Sequence, residues 1–118
     1  MQQVRHGEGP VRWKRLRVYI DESDKCHGKP LYLYLLEEFR RAGIRGATVY
    51  KGVAGYGSHS VLHLPHILRL SEDMPIVVEV VDEDSNIEKA LRIVRECVEE
   101  GLVTLEDVYV YFYGHRGS

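Results

Sequence analysis

The stretch Leu16-Arg17-Val18-Tyr19-Ile20 decides the fold. Leu16, Val18 and Ile20 alternate with Arg15, Arg17 and Tyr19, the period of a half-buried strand. One face of this strand belongs to a core. The other is charged and aromatic, so a sheet built around it is covered on one side only.

Working outward, residues 21–29 form a polar loop, and Pro30 suits the first turn of a helix, where its missing N–H costs nothing. Leu31, Leu35 and Phe39, with Leu36 beside them, mark one helical face. Gly43 followed by Ile44 reads as a left-handed C-cap with an apolar residue behind it. Residues 47–53 are β-prone through Thr48, Val49 and Tyr50. Residues 55–66 read as a long loop or hairpin, and 67–70 as strand or a short helical turn. The apolar run 75–81, broken only by Glu79, is long and β-branched enough for a central strand. Ser85 and Glu88 are spaced as a capping box. Ile87, Leu91, Val94 and Val98, joined by Ala90 and Cys97, then mark a second helical face, with Gly101-Leu102 as its stop. The last strand sets Val108, Val110 and Phe112 against Tyr109, Tyr111 and Tyr113, the valines facing the helices.

The order is β-α-β-β-α-β. This is a ferredoxin-like α+β sandwich: an antiparallel sheet with two helices on one face and, by right-handed crossovers, strand order 4-1-3-2. Residues 1–12 are expected as a flexible N-terminal arm, because Gly7, Gly9 and Pro10 lie among polar residues. Residues 13–118 then form a single domain. The uncovered face would carry Arg15, Arg17, Tyr19, Glu79 and the three tyrosines. Tyr and Arg are enriched at protein interfaces, and so large an aromatic patch in water is unusual, so a homo-oligomer joined through open sheets is favoured. The alternative is a solvated face on which Arg17 pairs with Glu79.

The chain has 118 residues, 44% hydrophobic and 29% charged, with a formal charge of −2. That suits one soluble globular domain and excludes a disordered chain. The mixed charge argues against nucleic-acid binding. No apolar run reaches the ~20 residues that span a bilayer, and the start has no apolar signal region. A cytoplasmic protein without membrane insertion is the expectation. Cys26 and Cys97 lack C-x-x-C spacing and fit a reduced pair, with a disulfide or metal pair as the minority reading.

Gly43, Gly46, Gly52, Gly55 and Gly57 crowd fifteen residues. Glycines let a ligand approach main-chain N–H groups closely, and successive N–H groups can form an anion nest. The spacing matches neither a P-loop nor a dinucleotide fingerprint. By themselves these glycines fit a ligand-binding turn or a mobile hairpin tip equally. His59, His63 and His66, if helical, would share a face able to ligate a metal; on a loop they are exposed polar residues. Glu22, Asp24 and Lys25 after the first strand suit a metal, an amine, a ribose hydroxyl or a solvated turn. No nucleophile–base arrangement stands out, so catalysis is not expected and no catalytic residue is assigned.

Several segments carry a resemblance: Ile20-Asp21-Glu22-Ser23-Asp24-Lys25, Gly28-Lys29-Pro30-Leu31-Tyr32, Ala42 to Val49, Gly52-Val53-Ala54-Gly55-Tyr56-Gly57, Leu70 to Pro75, Glu79-Val80-Val81-Asp82 and Glu100 to Thr104. Together, over roughly residues 14–113, the chain resembles a PII-like family of small prokaryotic proteins of unassigned function. That family is similar in turn to the nitrogen-regulatory PII signalling proteins. The resemblance implies a homotrimer whose open sheets line its centre, with adenine nucleotide in clefts between subunits. It implies that Thr48, Gly52, Gly55, Tyr56, Gly57, Ser58 and Glu79 contact the nucleotide, and that the Gly101-Leu102-Val103 turn of a neighbour closes the cleft. Arg69 fits equally a phosphate contact near the loop, as the best basic candidate there, and a surface role; His115 and Arg116 hold a tail position where basic residues reach a neighbouring cleft in PII proteins.

Two departures qualify the likeness. The loop after Gly57 is shorter than its PII counterpart and lacks the modified tyrosine. The phosphate-gripping Gly-Lys turn is replaced by Gly101-Leu102-Val103-Thr104. AMP or ADP is therefore expected over ATP, as a ligand rather than a required cofactor. The loop would act as a switch toward a target protein of unknown identity. The alternative is a divalent-cation-binding trimer of the cation-tolerance type, using the loop histidines.

Overall fold

A computed structural model describes residues 3–57 and 73–116. Its elements run β1 (Val11–Asp21), β2 (Lys25–Cys26), β3 (Lys29–Pro30), α1 (Leu31–Arg41), β4 (Thr48–Lys51), β5 (Pro75–Asp82), α2 (Asp84–Cys97) and β6 (Leu102–Val110). The long strands form one antiparallel sheet in the order β4-β5-β1-β6. That is the expected 4-1-3-2 arrangement read from the other edge. β2 and β3 add a small hairpin ahead of α1.

Alternation in β1 and β5 builds the core. Leu16, Val18 and Ile20 meet Ile76, Val78 and Val80 beneath Leu31, Leu35 and Phe39 of α1 and Ile87, Ala90 and Val94 of α2. Each Val, Leu, Ile or Phe among them contributes about 1.5–3 kcal/mol on burial. Both helices cover this one face. Helix α1 stops as its sequence directs: Gly43 takes φ 86°, and the Ile44 N–H donates to the Phe39 carbonyl at 3.1 Å.

Four local expectations are corrected. Helix α2 begins at Asp84, and no side chain caps it; the Ser85–Glu88 box does not form. The buried Asp82 carboxylate instead accepts the Glu83 N–H at 2.8 Å and the Asn86 side-chain amide at 3.0 Å. Helix α2 ends at Cys97, so Gly101 is the entry to β6 rather than a helix cap.

The third correction concerns β6, which ends at Val110, before Tyr111 and Tyr113. Its register pairs Leu105 with Leu16, Glu106 with Arg15 and Asp107 with Lys14. Alternation then puts Thr104, Glu106, Val108 and Val110 on the open face and Tyr109 on the helix side, the reverse of the expected assignment. Charge selects this register: Arg15 reaches Glu106 at 3.0 Å and Lys14 reaches Asp107 at 3.0 Å.

Lastly, part of the segment expected as an arm is docked. Val11 and Arg12 belong to β1, and Val4 is buried, exchanging backbone hydrogen bonds with Tyr113 at 2.9 and 2.8 Å. Val4 is the apolar residue in an otherwise polar run, and it covers the end of the sheet beside Trp13.

That end is locked by Arg45. Its guanidinium pairs with Asp82, which is fully buried, and with Glu83 at 3.0 Å. It also lies 4.9 Å from the Trp13 ring centroid and 5.7 Å from that of Tyr113.

Candidate functional site

At the opposite end of the sheet the backbone opens into a cleft of about 320 Å³. The end of β1 supplies Tyr19, Ile20 and Asp21, and the loop beyond it Asp24. Tyr56 and Gly57 enter from the segment after β4, Pro75 and Ile76 from the start of β5, and Glu100, Gly101 and Leu102 from the entry to β6.

Glycines make this convergence possible. The Gly52 N–H donates to the Pro75 carbonyl at 2.7 Å, and a Cβ on Gly52 would lie 2.7 Å from Pro75 Cγ. Gly101 has φ 139°, and a Cβ there would lie 2.3 Å from the Tyr19 carbonyl oxygen. Only glycine lets the chain enter β6 so close to β1. Gly57 differs, since a Cβ on it would meet nothing within 4 Å. It faces open space beside Tyr56, which is 77% exposed.

The acidic loop is anchored, not loose. The Glu22 N–H donates to the Met74 carbonyl at 2.9 Å, the Ser23 N–H to Asp73 at 3.1 Å, and Lys51 pairs with Glu22 at 3.1 Å. The Asp24 carboxylate accepts the Asp21 N–H at 2.9 Å. Asp21, Asp24 and Glu100 make the cleft's polar lining acidic, against the apolar surfaces of Tyr19, Ile76 and Leu102.

Of the residues expected at the site, Tyr56, Gly57, Gly101 and Leu102 come together in this cleft within a single chain. Gly52 packs against the Pro75 wall, with Gly55 beside it. Val103 is the next residue of β6, opposite Val18. Thr48 and Glu79 are placed elsewhere, paired across β4 and β5 further along the open face. Glu79 is engaged by Arg17 at 3.1 Å, and Arg17 also reaches Glu106 at 3.1 Å. The Glu79 carboxylate raises the guanidinium's already high pKa, and Arg15 and Arg17 hold the Glu106 carboxyl below the usual range. The result is an alternating charge ladder across β5, β1 and β6.

Ser58, Arg69, His59, His63 and His66 lie outside the described residues, as do the strand or short helical turn expected at 67–70 and all but residues 55–57 of the loop or hairpin expected at 55–66. Among the described residues, no group of three His, Cys, Asp or Glu is placed to hold a metal ion. His115 lies edge-on to Tyr113, at the Trp13 end of the sheet and away from this cleft. Sequence reasoning omitted Tyr19, Asp21, Pro75 and Glu100. Asp21, Pro75 and Glu100 do fall in segments that carry the family resemblance, and Tyr19 on the uncovered face, but nothing in those patterns aims them at one cleft.

The four-stranded sheet with two helices on one face is a PII-like fold. It aligns with the PII-like protein CPII of Thiomonas intermedia K12, bound to ADP, AMP and bicarbonate, at TM-score 0.66 and 20% identity, covering 87% of this chain and 95% of that one. A putative PII-like signaling protein of Thermus thermophilus aligns at TM-score 0.58 and 19% identity, covering 86% and 91%. The chain itself belongs to the DUF190 family (Uncharacterized ACR), whose model matches residues 13–110. A UPF0166 protein of Aquifex aeolicus is 38% identical over 102 residues, 86% of this chain and 96% of that protein. One from Methanocaldococcus jannaschii is also 38% identical over 102 residues, 86% and 94% of the two chains. No helix among the described residues is long and apolar enough to cross a membrane.

Proposed function

We propose that this protein is a non-enzymatic PII-like regulator that binds an adenine nucleotide, AMP or ADP, at the cleft where Tyr56–Gly57 meets Gly101–Leu102. That meeting carries the reading. A flat aromatic ring, open glycine backbone and an apolar shelf converge with a few carboxylates, the composition of a small-molecule site. Tyr56 offers a face for the base, and Asp24 offers an acceptor for ribose hydroxyls. The turn after α2 reads Gly101-Leu102-Val103-Thr104, without the Gly-Lys that grips phosphates, so a short phosphate chain is favoured. CPII, of the same fold, is bound to ADP and AMP.

The cleft is open on one side, and the uncovered sheet exposes Tyr19, Tyr50 and Leu102 beside it. A homotrimer packed through these sheets would complete the cleft with a neighbouring subunit and bring Thr48 and Glu79 toward the same seam. Ligand would then bias the segment following Gly57 between arrangements that meet or release a target protein, provided it binds one more tightly. The setting is cytoplasmic.

Calorimetry with AMP, ADP, ATP and zinc, run beside sedimentation, tests this. The expected result is a trimer with heat for AMP or ADP, weaker heat for ATP, and loss of nucleotide heat in Gly57→Val. A monomer, or heat for zinc alone that His63→Ala abolishes, would overturn it.

A further inference from the structure

We propose that Glu22 is the positioning residue of this cleft. It does not line the cleft itself. Its carboxylate clasps the end of β4 and the start of β5 to the end of β1, and so fixes where the chain leading to Tyr56 leaves the sheet. The positioning role rests on the proposed function; the clasp does not.

In the sheet, β5 lies between β4 and β1. Glu22 follows β1 directly and reaches past the start of β5 to the far strand. Its Oε2 lies 3.1 Å from Lys51 Nζ, while its Oε1 accepts the Met74 N–H at 3.4 Å. The Glu22 N–H donates to the Met74 carbonyl at 2.9 Å, so backbone and side chain grip Met74 together. Each gripped residue adjoins a wall of the cleft. Glu22 follows Asp21, and Met74 precedes Pro75. Lys51 precedes Gly52, whose N–H donates to the Pro75 carbonyl at 2.7 Å and from which the chain runs on to Tyr56 and Gly57.

β4 is a strand of four residues at the edge of the sheet. So short an edge strand makes few contacts that hold its end in place. The Lys51 side chain is 55% exposed and that of Glu22 24%, and a pair this open to solvent adds little to stability. Its effect is one of direction. With the strand ends held, a ligand meets walls already at their bound separation and does not have to order them on binding.

The test combines amide hydrogen exchange with AMP calorimetry in Glu22→Ala, Glu22→Gln, Lys51→Met and the double variant Glu22→Gln/Lys51→Met. The carboxamide of Glu22→Gln still accepts the Met74 N–H but cannot pair with Lys51. The Met74 amide should therefore exchange faster in Glu22→Ala and not in Glu22→Gln, whereas the Gly52 amide should exchange faster in every variant. AMP affinity should fall about fivefold or more in Glu22→Gln and in Lys51→Met, and no further in the double variant, while the urea midpoint stays nearly unchanged. Unchanged exchange at Gly52 would overturn the clasp. Full affinity in either single variant, additive losses in the double, or a midpoint that falls in step with affinity would overturn the positioning role. No AMP heat in the unsubstituted protein, with exchange altered as expected, would overturn the nucleotide reading and the positioning role with it, and leave the clasp standing.

Discussion

Gly101 enters β6 so close to Tyr19 that a Cβ on it would lie 2.3 Å from the Tyr19 carbonyl oxygen. This contact joins two walls of the cleft, because Tyr19 lies two residues before the end of β1 and Gly101 immediately precedes β6. A methyl group here meets backbone, which cannot rotate away, at a φ of 139° that L-residues rarely adopt. Gly101→Ala should therefore lose about 2–4 kcal/mol of stability. Urea denaturation followed by circular dichroism measures it. A loss within error of zero would mean the turn relaxes at no cost.

The glycines after β4 divide into two kinds. Gly52→Ala drives a Cβ to 2.7 Å from the Pro75 ring and should cost about 1–3 kcal/mol. Gly57→Val faces open space and should leave the denaturation midpoint nearly unchanged while removing nucleotide binding. Parallel denaturation and calorimetry separate the two. Comparable destabilisation in both variants would refute a ligand-facing role for Gly57.

Asp82 is fully buried and joins Arg45, the start of α2 and, through Arg45, the Trp13 and Tyr113 rings. Asp82→Asn keeps the shape but leaves the Arg45 charge at 5% exposure without its main counter-ion. The expected loss is about 3–5 kcal/mol. Trp13 is the chain's single tryptophan and is buried, so its fluorescence reports the loss directly.

Acid should loosen the open-face ladder. Hydrogen bonds from Arg15 and Lys14 hold the Glu106 and Asp107 carboxyls below their usual values. A depressed folded pKa means the unfolded chain takes up protons first as pH falls. The contribution is thus complete above the unfolded carboxylate range and is lost as pH drops through the lowered folded values, below about pH 4. Both carboxylates are solvent-exposed, so the effect should be small and weaken with salt. Denaturation midpoints against pH should show a shallower acid limb in Glu106→Gln. An unchanged limb would assign acid loss to other groups.

Much of this architecture is legible in local pattern because local physics sets it. The alternation at Leu16, Val18 and Ile20, the four-residue spacing of Leu31, Leu35 and Phe39, and the Gly43–Ile44 stop each depend on residues close in sequence. The β6 face is not legible in the same way, because Tyr109 alternates as regularly as Val108. Either register satisfies the pattern, and cross-strand pairing with Lys14 and Arg15 chooses between them. The capping box fails for a related reason: Asp82, outside the box, is buried and already accepts at the helix start.

The candidate site divides the same way. Gly57 and Gly101 stand out along the chain because glycine is the residue favoured wherever backbone must turn or be approached closely, and the one-sided sheet follows from composition within single strands. That Tyr56, Gly101 and Asp24 share one cleft and that Glu79 answers Arg17 instead follow from the order in which strands pair. Those contacts join segments tens of residues apart, and no periodicity within a strand or helix encodes them; packing both helices on one face of the sheet brings them together.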